Sequence, residues 1–317
     1  MVYYINILDY TIRMNSMQYK ISSAMASFCK RTDIADAMEQ VKAAGYASLD
    51  FPLHLFAVGF DAPLLQENWR EWVRELAGHS RRLQLPITQA HAPWVQDIPA
   101  DFHYEAPWEM YFRCIEACAI LDCPHLIFHP VRQRERVDTL VMRNRIHDWN
   151  VRWFHDLTSA AERWGVCINL ENTFDSHQVQ KEGDLPYPYT TAEDMLALVR
   201  DIGSAHVSLC LDTGHANLSE QDIPAMIRAF RGNLTTLHLN DNRGKGEKSK
   251  EDLHLFPGKG MISWRPVLEA LADISYRGVW NFEPIDELPE VQREQRITLL
   301  SEARRNWMDL LKVLSKC

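Results

Sequence analysis

Histidines and carboxylates stand at the ends of a series of short apolar runs in this chain. His91 lies at the end of the run 87–92, His129 ends 125–129, Glu171 follows 166–170, and Asp212 follows 207–211 with His215 three residues on. His238 lies near the end of 234–239 and Glu283 follows 279–282, while Asp252 and His254 come from the segment between those two runs. A lone histidine ending a strand is usually a hydrogen-bonded structural group. Their joint placement points elsewhere. Carboxylates gathered in one mouth repel one another and disfavour their own ionised forms, a conflict that a divalent cation resolves. Mixed His, Asp and Glu donors suit zinc, manganese, iron or cobalt better than calcium or magnesium. The residue types and their positions therefore predict a site for a divalent transition metal, with room for more than one ion.

These groups converge only if the runs are parallel strands that end on one rim. The apolar runs 24–28, 47–53, 87–92, 125–129, 166–170, 207–211, 234–239 and 279–282 read as strands. Between and after them come helical patterns at 33–44, 67–85, 108–121, 138–164, 191–202, 223–230, 264–272 and 292–314, with Gly45 and Gly165 as stop signals. Strands apolar at nearly every position, each returned by a helix, imply a parallel sheet covered by helices. Eight such units and about 250 core residues predict an α/β fold, a single (β/α)8 TIM barrel, whose reactive groups lie at the C-terminal strand ends. No GxGxxG turn follows the first strand, against a dinucleotide-binding sheet. The expected organisation is an N-terminal extension over 1–20 and a barrel domain over 21–317, with 175–189 as a long loop on the active face.

Composition narrows the partners. With 34 Lys+Arg against 43 Asp+Glu the net charge is −9, which disfavours a phosphodiester backbone. No stretch approaches the roughly 20 apolar residues that cross a bilayer, and 1–17 does not read as a signal peptide, so a cytoplasmic location is expected. The seven cysteines form no CxxC pair, in line with reduced thiols. Most of the ten tryptophans are expected in helix–barrel packing, while Trp94 and Trp108, near the loop after the third strand, are candidates to stack on a sugar face. The basic run 243–250 and the cluster Arg132, Arg134, Arg136 read as solvated loops.

Five segments carry a family resemblance: LENT (170–173), LDTGH (211–215), HLNDN (238–242), Asp252-Leu-His254 leading into PGKG (257–260), and FEP (282–284). In order and spacing the chain resembles the xylose-isomerase-like TIM-barrel superfamily, which holds sugar and sugar-phosphate isomerases and epimerases together with the endonuclease IV class. The resemblance implies a metal held by Glu171, Asp212, His238 and Glu283, with Glu171 and Glu283 exchanging a substrate proton next to a metal-polarised carbonyl. His215 would bind substrate oxygens, with Trp94 and Arg243 as further substrate-binding candidates. His91, His129, His215, Asp252 and His254 match the additional zinc ligands of the endonuclease class, so they are candidates for further metal or substrate. The sequence departs from ketohexose 3-epimerases at two places: His177 stands where they tend to carry a further glutamate, and Arg243 is offset from their substrate arginine. The reading that follows is a metal-dependent sugar or sugar-phosphate isomerase or epimerase. A sugar or cyclitol lyase or dehydratase and an apurinic endonuclease are the alternatives, and homo-oligomerisation is left open.

Overall fold

In a computed structural model of the chain, residues 21–59, 61–95, 108–131, 139–174, 185–244, 252–284, 288 and 291–314 are described. Eight parallel strands pair in sequence order and β1 pairs with β8, closing the barrel. They are β1 (Ile21–Ala24), β2 (Ser48–Phe51), β3 (Ile87–His91), β4 (His125–Phe128), β5 (Cys167–Glu171), β6 (Val207–Asp212), β7 (Leu234–Leu239) and β8 (Val279–Phe282). The helices are α1 (Ile34–Ala43), α2 (Trp69–Leu83), α3 (Trp108–Ile120), α4 (Leu140–Trp164), α5 (Ala192–Ile202), α6 (Thr213–Leu218), α7 (Ile223–Phe230), α8 (Trp264–Asp273) and α9 (Arg293–Leu314). Among the described residues, no helix is long and apolar enough to cross a membrane. The expected extension over 1–20 lies outside the described residues.

Two expectations are corrected. The first strand is Ile21–Ala24 rather than 24–28. Its Ser22 and Ser23 hid it from a search for apolar runs, which settled on the more apolar turn that follows. Nor are the strands apolar throughout. Leu126 and Phe128, Ile168 and Leu170, Leu209 and Leu211, Leu237 and Leu239, and Trp280 and Phe282 join the apolar cluster shared with the helices. The alternate positions hold Asn169 and Glu171, Asp212, Thr236 and His238, and Asn281, all buried but polar. Because side chains alternate along a strand, one face of each packs on helices and the other fills the barrel interior.

Local signals hold the helices in place. Thr139, Thr191 and Asp222 each accept a bond from a first-turn N–H, capping α4, α5 and α7, while Gly165 and Gly203 end α4 and α5 at φ 66° and 68°. The α3–α4 side is an aromatic pack in which Phe128 meets Trp153, Phe154 and Tyr111 at centroid distances of 5.9, 5.7 and 6.1 Å. Phe128→Ala should destabilise the fold by about 3–5 kcal/mol, measured by chemical denaturation, because it removes a fully buried ring and leaves a cavity.

Candidate active site

The rim is assembled by register. Asp212 at the end of β6 is paired with His238 of β7, and His238 with Asn281 of β8. Glu171 ends β5, and Glu283 follows β8 directly. All nine predicted donors meet in this mouth. His91, His129 and Glu171 offer ligand atoms that lie within 4.8 Å of one another, as do Asp212, His215 and His254, and as do Glu171, Asp212, His238 and Glu283. Asp252 joins the second group, its Oδ2 lying 3.1 Å from His215 Nε2 and 2.8 Å from His254 Nε2.

The hydrogen bonds behind the rings decide which nitrogens face inward. His91 Nδ1 lies 2.9 Å from the Ala92 carbonyl, and His215 Nδ1 lies 2.8 Å from the Asn172 carbonyl. A carbonyl only accepts, so those nitrogens carry the proton and the Nε2 lone pairs face carboxylates. His91 Nε2 stands 3.4 Å from Glu171 Oε2. His129 Nε2 stands 3.3 Å from the same oxygen. A lone pair and a carboxylate oxygen repel unless a proton or a metal ion lies between them. Glu171 Oε2, Glu283 Oε2, Asp252 Oδ1 and His238 Nδ1 are buried with no hydrogen-bond partner among the described residues. Orphaned donors of this kind, from His, Asp and Glu, fit a divalent transition metal.

The titration behaviour has the same origin. Burial, with Glu171 and Glu283 nearby, pushes Asp212 up to about 6 despite the opposing pull of His215 and His254. Burial opposes the charged form of Glu171, yet His129 and His238 outweigh it and hold its carboxyl well below the usual range. Burial would lower His215, but Asp212 and Asp252 raise it to about 9. His238 and His254 are raised by neighbouring carboxylates in the same way, against the effect of burial.

Three residues inside the quoted motifs hold this rim, and the sequence reading gave them no role. The Asn172 amide bonds both the N–H and the carbonyl of Asp212 at 2.8 and 3.0 Å, tying the ends of β5 and β6. Asn240 donates to Asp212 Oδ2 at 2.6 Å, and Gly214 leaves room for it, since a Cβ there would stand 1.9 Å from Asn240 Oδ1. Asp241 is the anchor of the segment that carries Asp252 and His254. Its carboxylate accepts from the N–H groups of Asn242, Gly258 and Ile262 and from Trp264 Nε1, all at 3.0 or 3.1 Å. Its backbone pairs with Leu255 in both directions at 2.8 Å.

The cavity above the donors has a volume of about 260 Å³ and is walled by Trp94, Val95, Pro130, Thr173 and Phe174. Trp94 is 56% exposed, and its ring stands edge-on to His91 and His129 at 6.0 and 5.7 Å. His54, which burial pushes down to about 4, stacks on the indole at 5.7 Å and stands edge-on to His91 at 5.4 Å. Phe174 packs on His215 at 4.9 Å. Neither His54 nor Phe174 stood out in the sequence, where each is one ordinary residue in a loop. Trp108 instead packs against Tyr111 and Phe112 on α3, and Arg243 is exposed and outside the cavity lining. His177, the arginines at 132, 134 and 136, and 245–250 lie outside the described residues.

Residues 38–315 match the family of xylose isomerase-like TIM barrels. The chain belongs to that family. Among its relatives, it is 33% identical over 136 residues to the D-psicose 3-epimerase of Enterocloster bolteae, a stretch covering 42% of this chain and 38% of that enzyme. The chain spans under two thirds of the length of the first curated relatives that it matches. The fold is shared with a crystal structure of D-psicose 3-epimerase in the presence of D-fructose, at a TM-score of 0.71 and 17% identity over 92% of this chain and 99% of that one. It is also shared with the IOLI protein carrying a zinc atom, at a TM-score of 0.70 and 19% identity over 94% and 98%.

Asp241→Ala should cost about 2–4 kcal/mol in chemical denaturation, since it leaves buried N–H donors without their charged acceptor. It should also release His254 from the rim, which proteolysis within 242–262 would detect.

Proposed function

We propose that this protein is a metal-dependent isomerase or epimerase acting on a sugar or sugar phosphate. One observation carries the reading. Two carboxylates from different sides of the mouth reach a single imidazole nitrogen: Glu171 Oε1 of β5 lies 3.1 Å from His238 Nδ1, and Glu283 Oε2, beyond β8, lies 3.2 Å from it. The family membership and the epimerase relative support it. Glu171, Asp212, His238 and Glu283 would hold a divalent transition metal. When bound, that ion supplies a Lewis acid that polarises a substrate carbonyl and acidifies the adjacent C–H.

The chain's own groups supply the proton transfer. Glu171 and Glu283 are both held in the anionic form by the histidines around them, as a general base requires. A single carboxylate that removes and returns a proton on one face restores the original configuration. Two carboxylates, one to remove the proton and one to deliver it on the other face, invert the centre. His215, fixed by the Asn172 carbonyl, turns Nε2 towards Asp252 and the cavity, where it binds a substrate oxygen or a further ion. Trp94 and Phe174 form apolar walls that stack on a sugar face and exclude water.

The three donor groups favour a second reading on their own account. His91, His129 and Glu171, and Asp212, His215 and His254 with Asp252, could hold further ions, an arrangement suited to multinuclear hydrolysis by an endonuclease IV-like enzyme. The net charge of −9 ranks it below a small polyol substrate.

Protein purified without chelator should contain one to three transition-metal ions per chain by elemental analysis. Less than one, unchanged after incubation with manganese, zinc or cobalt, overturns the proposal. Glu171→Gln and Glu283→Gln should each reduce exchange of a ketose α-proton with deuterated solvent at least 100-fold. Full exchange in both would remove them as the acid and base. Metal-dependent nicking of an abasic-site duplex at low salt, without exchange on sugars, would establish the second reading instead.

A further inference from the structure

Behind His238 the barrel interior holds a carboxylate that belongs to none of the three donor groups. Asp50, on β2, is 3% exposed, and its Oδ2 stands 3.5 Å from His238 Nε2. The two ring nitrogens therefore face opposite ways. Nδ1 lies 3.1, 3.2 and 4.0 Å from Glu171, Glu283 and Asp212, and Nε2 points down the barrel at Asp50.

Asp50 is itself held in place. Its Oδ2 accepts from Gln89 Nε2 of β3 at 3.0 Å and from Asn281 Nδ2 of β8 at 3.1 Å. Gln89 and Asn281 are fully buried: Gln89 comes from β3, which pairs with β2, and Asn281 comes from β8, where it is the register partner of His238. Two side-chain amides thus fix the carboxylate against the back of the ring. Cys210 of β6 also interacts with this imidazole.

We infer that Asp50 is a positioning residue for His238, holding the ring as the tautomer protonated on Nε2 so that the Nδ1 lone pair faces Glu171, Asp212 and Glu283. An imidazole binds a metal through one nitrogen only when the other carries the proton, and a carboxylate behind the ring selects that tautomer and raises the basicity of the donor nitrogen. Among the described residues, Asp50 provides the carboxylate on the Nε2 side of this ring. The inference rests on the reading of His238 as a metal ligand.

The experiment is a titration of metal-free protein with zinc, and separately with manganese, against a competing chelator. Wild type, Asp50→Asn and Cys210→Ala are compared, with circular dichroism and thermal melts to establish folding. Asp50→Asn should weaken the tightest site 10–100-fold, while Cys210→Ala should stay within about threefold of wild type. Unchanged circular dichroism and melting temperature separate positioning of His238 from a general loss of structure. Cobalt-loaded Asp50→Asn should show an altered ligand-field spectrum.

Should Asp50→Asn not fold, Gln89→Ala, which removes one of the two amides holding Asp50, provides the reading with an expected drop of about threefold to tenfold. Wild-type affinity and spectrum in the folded Asp variant, or in Gln89→Ala if that variant serves, would overturn the inference and leave the metal reading standing. So would a loss in Cys210→Ala alone. Wild-type protein that binds neither ion would overturn the metal reading and this inference with it.

Discussion

Excess negative charge at the barrel mouth, buried and facing the lone pairs of oriented imidazoles, is the constraint on which the rest of the structure depends. Glu171 and Asp212 have almost no exposure, and Glu283 has little. Ionised carboxylates at such depth are costly without a compensating cation. Among the described residues, no lysine or arginine is paired with these three carboxylates. The neighbours around them are histidines, which can share a proton or give a lone pair to a metal.

Holding such a cluster together requires neutral scaffolding. Asn172 and Asn240 clamp Asp212 with amide bonds that add no charge, and Asp241 collects four donors from the segment bearing Asp252 and His254. Deeper in the barrel, Gln89 and Asn281 do for Asp50 what Asn172 and Asn240 do for Asp212. The interior therefore has a hydrogen-bonded polar layer beneath the site, whereas the outward strand faces carry the apolar packing that stabilises the fold. These roles are separable: truncating Phe128 acts on stability, and altering a rim carboxylate acts on chemistry.

The eight-unit rhythm and the nine rim donors were legible because each follows from local pattern. A buried strand needs an apolar run, a helix needs its periodicity and caps, and a barrel of parallel strands puts every strand end on one rim. Where local pattern was ambiguous, the reading slipped. Ile21–Ala24 carries two serines, because a barrel strand may turn polar residues inward, and so it was missed in favour of the apolar turn after it. His54, Phe174 and Asp50 gave no signal, since a single histidine, phenylalanine or aspartate has no period.

By itself, then, the sequence determined the architecture and nominated the nine rim donors. Spacing along the chain is enough to number the strands, and strand ends are enough to nominate the donors. Tertiary structure alone decided which nitrogen of each histidine faces the cluster, how the nine donors fall into three overlapping groups that share Glu171 and Asp212, and what stands behind them. Those facts depend on hydrogen bonds between residues as far apart as Asp50 and Asn281, brought within 3.1 Å only when the last strand closes on the first. Closure of the barrel converts a list of polar residues into a site with a front and a back.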